Sequence, residues 1–135
     1  MADKLNFELV SPERLLLSEE VDAVTVPGTE GEFGVLAHHA PFMTALRPGM
    51  IKVEGGAEGV RRVFVWGGFV EVNEKGLTIL AEEAQMMEDV DMDAMARRIK
   101  DLEEDVADYD DTAKKEEARD RLWHIQQMFE AAKAS

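Results

Sequence analysis

Residues 26–53 read VPGTEGEFGVLAHHAPFMTALRPGMIKV, and this stretch decides the fold. Gly28, Gly31 and Gly34 stand three apart, followed by Pro41 and then Pro48-Gly49, with short β-branched and aromatic runs between them. Glycine tolerates positive φ, whereas proline fixes φ and withholds a backbone donor. The chain therefore turns sharply several times at set positions, between segments suited to strands. No Gly-Lys-Ser/Thr follows the glycines and no helical pattern opens after them, which argues against a phosphate cradle.

The same punctuation extends to both sides. Upstream, Leu5, Phe7 and Leu9 alternate as in a half-buried strand, and residues 15–17 and 23–26 give two more, separated by Glu19-Glu20. Segments 33–36, 42–46 and 50–53 follow. The tract EGGAEG at 54–59 has no apolar anchor and reads as a hairpin connection. Segments 60–66 and 69–72 are broken by Gly67-Gly68, where a tight turn or bulge is expected. Residues 73–76, NEKG, turn the chain into 77–80. About ten short strands at this spacing predict a two-sheet sandwich.

After Glu88 the period changes, and neither proline nor glycine occurs again. Met92, Met95, Ala96, Ile99, Leu102 and Val106 recur at steps of three and four, which predicts an amphipathic helix of about 16–18 residues. Asp89 or Asp91 can supply its N-cap. The polar break DYDDT at 108–112 ends this stripe, with Asp111 or Thr112 placed to cap a second helix. Ala118, Leu122, Ile125, Phe129 and Ala132 form that helix's stripe. The expected architecture is thus α+β, with an all-β sandwich over 1–87 and an antiparallel helical hairpin over 88–135.

Composition narrows the function. The formal charge is -14, with 15 acidic and 7 basic groups in 1–88 and 14 and 8 in 89–135. Neither half offers the clustered Lys and Arg that nucleic acid or anionic lipid requires. The chain has no cysteine, so disulfides and thiolate metal sites are excluded. The opening MADKLNFELV is not expected to be a signal peptide, and no segment approaches the ~20 apolar residues of a membrane span. A soluble, intracellular protein is expected, reaching a membrane only through a partner.

No catalytic constellation emerges. The segment at 89–93 resembles a calcium loop only briefly, since Ala94 and Lys100 occupy the places of the required Gly and bidentate Glu. A capped helix start explains those acids better. His38-His39 and the distant His124 do not make a zinc set, and His39 is read as fixing the loop before Pro41. No Ser-His-Asp arrangement is signalled. Trp66 and Phe69, flanking Gly67-Gly68, are read either as a partner-facing patch or as core. Trp123 lies one position off its helix's stripe and is read as an exposed anchor. No cofactor and no metal are expected.

The string as a whole resembles the N-terminal domain of the epsilon subunit of F-type ATP synthases, called delta in mitochondria. The resemblance rests on residues 28–34, on His39-Ala40-Pro41, on residues 44–49, on GGFVEV at 67–72 and on LTILAEEA at 77–84. It is dense over residues 5–86. The chain departs from the pattern at Ala37, where the family usually has Pro, and at His38, where it commonly has Gly. The resemblance implies the same sandwich and helical hairpin, and a non-catalytic rotor subunit of the central stalk. It implies a location on the cytoplasmic face of the bacterial inner membrane, with binding to the gamma subunit and the c-ring, so that proton flow is coupled to ATP synthesis. Glu30, Gly31, Glu32, Phe33, His38, His39, Pro41 and Phe42 fall where family members make these contacts. The hairpin is implied to reach the alpha/beta hexamer and restrain ATP hydrolysis. Some bacterial members bind ATP through Ile/Val-Asp-x-x-Arg-Ala. Here Val90-Asp91 is kept, but Ala94 replaces the Arg and Met95 the Ala, so ATP binding is not expected. The other readings are a free-standing β-sandwich adaptor, or a small enzyme or nucleotide sensor on the same scaffold.

Overall fold

The computed structural model describes residues 3–134. The chain separates into two compact units, with the division after Glu88. The first holds ten strands: β1 (Leu5–Val10), β2 (Leu15–Val21), β3 (Ala23–Gly28), β4 (Gly31–Leu36), β5 (Phe42–Leu46), β6 (Gly49–Gly56), β7 (Gly59–Val65), β8 (Gly68–Asn73), β9 (Gly76–Ala81) and β10 (Ala84–Met86). Hydrogen bonding runs in the order β10-β7-β6-β3-β5-β8-β9-β1-β2, with β4 on β3. The ladder folds over where β3 meets β5 through the single pair Gly28–Leu46. This makes two layers, β4-β3-β6-β7-β10 and β5-β8-β9-β1-β2.

Because side chains alternate across a strand, every second residue of each layer points inward. Val24, Val26, Ile51, Val53, Val63 and Val65 of one layer and Phe7, Leu9, Val21, Val70, Val72, Leu77 and Ile79 of the other form one core, all essentially shielded from water. β1 and β9 pair in parallel, and the other strand pairs are antiparallel.

Two local expectations are corrected and one strand is added. Glu19-Glu20 does not interrupt a strand. β2 runs through both, because β1 pairs with it from Leu5–Val21 to Leu9–Leu17 and the ladder outweighs the weak strand preference of glutamate. Glu19 shares the inward side with Leu17 and Val21 on this edge strand, a charge placement that discourages edge-to-edge association. Second, β10 follows Glu82-Glu83 and pairs with β7; three residues are too few to show alternation in a sequence. Third, Pro27-Gly28 and Gly31 lie inside β3 and β4 rather than outside them, so the turn proper is only Thr29-Glu30.

The second unit is α1 (Met92–Asp108) and α2 (Thr112–Ala134), packed on each other. Of the expected caps, Asp91 and Asp111 serve. Asp91 Oδ1 accepts from the Asp93 and Ala94 amides at 2.9 and 3.2 Å, and Asp111 Oδ1 from Ala113 and Lys114 at 2.8 and 3.1 Å. Met95 and Leu102 are buried and Ile99 and Val106 half-buried, whereas Ala96 is exposed. The seam is therefore the narrow 4-3-4 row that suits one partner helix, and Ala96 falls about 100° round from Met95. On α2, Ala118 is buried as expected, and Met128 joins it. Trp123 is exposed. Asp91→Ala leaves two first-turn amides without their acceptor, and should lower the stability of the helical unit by about 1 kcal/mol, read as an earlier melt of the far-UV helical signal.

Candidate functional site

The eight residues singled out in the sequence do not form one cluster. Register fixes where they fall. Gly28 pairs with Gly31 and with Leu46, Leu46 with Gly68, and Gly68 with Ala81. Glu30 and Gly31 therefore lie at the sandwich end formed by the close of β3, β5 and β9. His38, His39 and Pro41 lie at the opposite end, lining a shallow cleft of about 300 Å³ with Leu5 and the β8–β9 turn. Phe33 and Phe42 join the two groups along one flank, their rings edge to face with centroids 5.4 Å apart.

Each half has a local physical origin. Phe33 lies over Gly28, where a Cβ would come within 2.9 Å of the ring, so glycine at 28 is what lets this ring approach β3 so closely. Arg47 Nε donates to the Gly28 carbonyl at 3.2 Å, tying the β5–β6 turn to the Glu30 turn. At the other end His38 adopts φ 66, a left-handed geometry unusual for a residue with a Cβ. Its Nε2 lies 2.5 Å from Asp3 Oδ2, and both side chains are largely exposed. This puts His38 at the place where a glycine would be unstrained. His39 Nδ1 donates to the Ala40 carbonyl at 2.8 Å, in keeping with its expected role before Pro41.

Sequence reasoning missed a larger feature. On the outer side of the β5-β8-β9-β1-β2 layer, Ala45 pairs with Phe69, Phe69 with Leu80, Leu80 with Val10 and Val10 with Leu15. This is an unbroken apolar row across five strands, roughly 19 Å long at about 4.8 Å per strand. Phe69 is 58 % exposed, and Leu15, Leu80 and the adjoining Met43 are exposed as well. The next row, Ser18, Glu8, Thr78, Glu71 and Met43, is polar but for the methionine. Only Phe69 was marked in the sequence. Trp66, its supposed companion, is half-buried edge to face on Phe64 at 4.8 Å. Alternation shows that each strand has an outer set, but the row exists only once register aligns five such sets.

Among the described residues no group of three or more His, Cys, Asp or Glu is placed to hold a metal. Comparison with known proteins then settles the family. Residues 4–87 match the model of the ATP synthase delta/epsilon chain β-sandwich domain. The chain belongs to that family. It is 48 % identical over 128 residues to the ATP synthase epsilon chain of Parvibaculum lavamentivorans, covering 95 % of this chain and 97 % of that one. It is 52 % identical over 135 residues to that of Maricaulis maris, covering 99 % and 97 %. Among solved structures it is similar to a chain of the Euglena gracilis mitochondrial ATP synthase assembly of OSCP, F1 and c-ring, with TM-score 0.74, 26 % identity, and coverage of 99 % of this chain and 82 % of that one. A chain of the Tetrahymena thermophila mitochondrial ATP synthase shares the fold, with TM-score 0.63 at 19 % identity.

As a delta/epsilon chain, the protein departs where the ATP-binding pattern would lie. Asp91, the acid kept from that pattern, is committed to capping α1. Ala94, in place of the arginine, donates its amide to the same carboxylate.

Proposed function

We propose that this delta/epsilon chain is a non-catalytic rotor subunit of a proton-translocating ATP synthase. Its sandwich seats on the gamma subunit through the apolar row of Leu15, Val10, Leu80, Phe69, Ala45 and Met43. Its Glu30 turn meets the c-ring, and its helical hairpin acts as an arm that restrains ATP hydrolysis by the alpha/beta hexamer. The observation that carries this reading is the apolar row. A contiguous apolar strip with a polar row beside it is the usual mark of a protein contact on a soluble domain.

The likeness to a chain in an assembly that contains a c-ring supports the second contact. Register puts the apolar row and the Glu30 turn at the same end of the sandwich, so that one end can serve shaft and ring together. Acidic groups on that turn suit basic loops of the ring. A ladder continuous through nine strands resists deformation, and a coupling element that yields under load dissipates work. No described helix is long and apolar enough to cross a membrane, so attachment on the cytoplasmic face of the bacterial inner membrane would run through the complex.

The test is binding of the purified chain to purified gamma, with a chain ending at Glu88 as control. Both should bind with affinities equal within about threefold, since the apolar row lies wholly in the first unit. The shortened chain should also leave hydrolysis by the reconstituted complex faster than the full chain does. Failure of both forms to bind gamma overturns the reading in favour of a free-standing adaptor.

A further inference from the structure

We propose that β10 and the turn after it form a detachable strap, locked by the Arg61–Glu88 ion pair, whose release lengthens the tether of the helical arm. The proposal deepens the regulatory reading above and rests on it for its purpose, though not for its geometry.

The register shows how the strap is built. Ala84, Gln85 and Met86 pair with Val65, Phe64 and Val63 of β7. Continued for two residues, that antiparallel ladder would bring Glu88 opposite Arg61. The ladder stops instead, because residues 87–89 wind into a 3-10 turn. A side-chain clasp takes over where the backbone bonds end: Arg61 Nη2 lies 2.9 Å from Glu88 Oε1. Glu88 is the last residue of the first unit, and Asp91, three residues on, caps α1.

The two partners are unequally placed. Arg61 pairs with Val53 across β7 and β6, on the side of the strand that carries Val63 and Val65 into the core, and its side chain is only 15 % exposed. The stem and the Nε side of the guanidinium are embedded, so packing alone holds the cation in position. Its other near contact is Glu58 Oε2, at 3.7 Å from Nη1, and its Nε has no hydrogen-bond partner among the described residues. Glu88 is half exposed and sits on a single turn. An embedded cation facing a half-exposed carboxylate makes a clasp that opens from the carboxylate side.

The rest of the strap is weak by construction. β10 has three residues, lies at the end of the sheet order and bonds on one edge only. Short edge elements of this kind open at far lower free energy than central strands. Freeing residues 84–89 adds up to about 20–22 Å of chain at 3.3–3.6 Å per residue. The inner core does not depend on the strap, since Ala84 and Met86 only border it.

Hydrogen exchange on the full chain tests this. Amides of residues 84–88 should exchange about fivefold faster in Glu88→Gln, in line with loss of an ion pair that has one largely buried partner. Glu88→Arg, which puts like charge against Arg61, should exchange faster still. Amides of β8 and β9 should not change, nor should any in Glu74→Gln, a control in the β8–β9 turn of the other layer. Exchange at 84–88 unchanged in Glu88→Gln overturns the strap, and that variant decides alone if Glu88→Arg does not fold. Hydrolysis by the reconstituted complex separates the two readings. Faster exchange with unaltered hydrolysis keeps the strap and overturns its effect on the arm, whose own restraint of hydrolysis is read from the chain ending at Glu88.

Discussion

Replacing Phe69 and Leu80 together by glutamate should weaken binding to the gamma subunit at least about 100-fold, while leaving the sandwich folded. The two side chains are neighbours across β8 and β9 at the centre of the five-strand row, and both project from the outer side of the sheet. Central aromatic and aliphatic anchors typically carry about 2 kcal/mol or more each, and each 1.4 kcal/mol is tenfold in affinity. Two carboxylates buried against an apolar partner add a desolvation penalty to the lost contact. Folding should barely respond, because neither side chain belongs to the core and their inward neighbours Val70 and Ile79 are untouched. Glu71→Gln, in the adjoining polar row, should change binding by less than about threefold. Surface plasmon resonance against immobilised gamma would show both effects, and circular dichroism would check the fold. Binding equal to the parent's in the double variant would place the gamma contact elsewhere.

Gly68→Ala should destabilise the sandwich by about 4 kcal/mol. Gly68 has φ +132, and a Cβ there would lie 1.9 Å from the Leu80 carbonyl oxygen and 3.0 Å from Ala81 Cα. The obstruction is backbone, in the strand with which Gly68 is paired, so no side-chain rotation relieves it. The corner cannot yield either. Trp66 N donates to Glu83 O at 3.1 Å and Glu82 N to Gly67 O at 3.0 Å, closing the ladder on both sides. Against a total stability of about 5–15 kcal/mol for a domain of this size, the loss should lower the melting temperature by roughly 15–30 °C. Gly31→Ala is the control. Its φ is also positive, at +134, but nothing lies within 4 Å of an added Cβ, so only the backbone strain of about 1–3 kcal/mol remains. Melting curves that rank the two variants equally would refute the steric account.

Residues 26–53 already show why the fold could be foreseen. Pro27-Gly28, Gly31, Pro41 and Pro48-Gly49 restrict the backbone one residue at a time, and such restrictions act whatever lies across the sheet. The helical seam was legible for the same reason. Met95, Ile99, Leu102 and Val106 recur at the period of one helix, and Asp91 and Asp111 satisfy amides two and three residues on. The errors arose where a distant strand decides. Glu19-Glu20 looked like a break and is held in β2 by β1. β10 is too short to be seen without β7. Trp66 and Phe69, three residues apart around one corner, part company because the chain turns between them.

The candidate site was less legible than the fold. Motif resemblance picked out residues 30–33 and 38–42 as a contiguous stretch, yet β4 carries the chain from one end of the sandwich to the other between them. By itself the sequence determined the two fold types, two candidates for each helix cap, the order of sandwich and hairpin, and the lack of a cysteine or phosphate-loop chemistry. These depend on backbone preference and on periods of two and 3.6, which are properties of neighbouring residues. Only the tertiary structure decided that Leu15, Val10, Leu80, Phe69 and Ala45 lie in one row, and that Arg61 meets Glu88. Both follow from strand register, which aligns residues up to 70 positions apart and is set by the whole core packing at once.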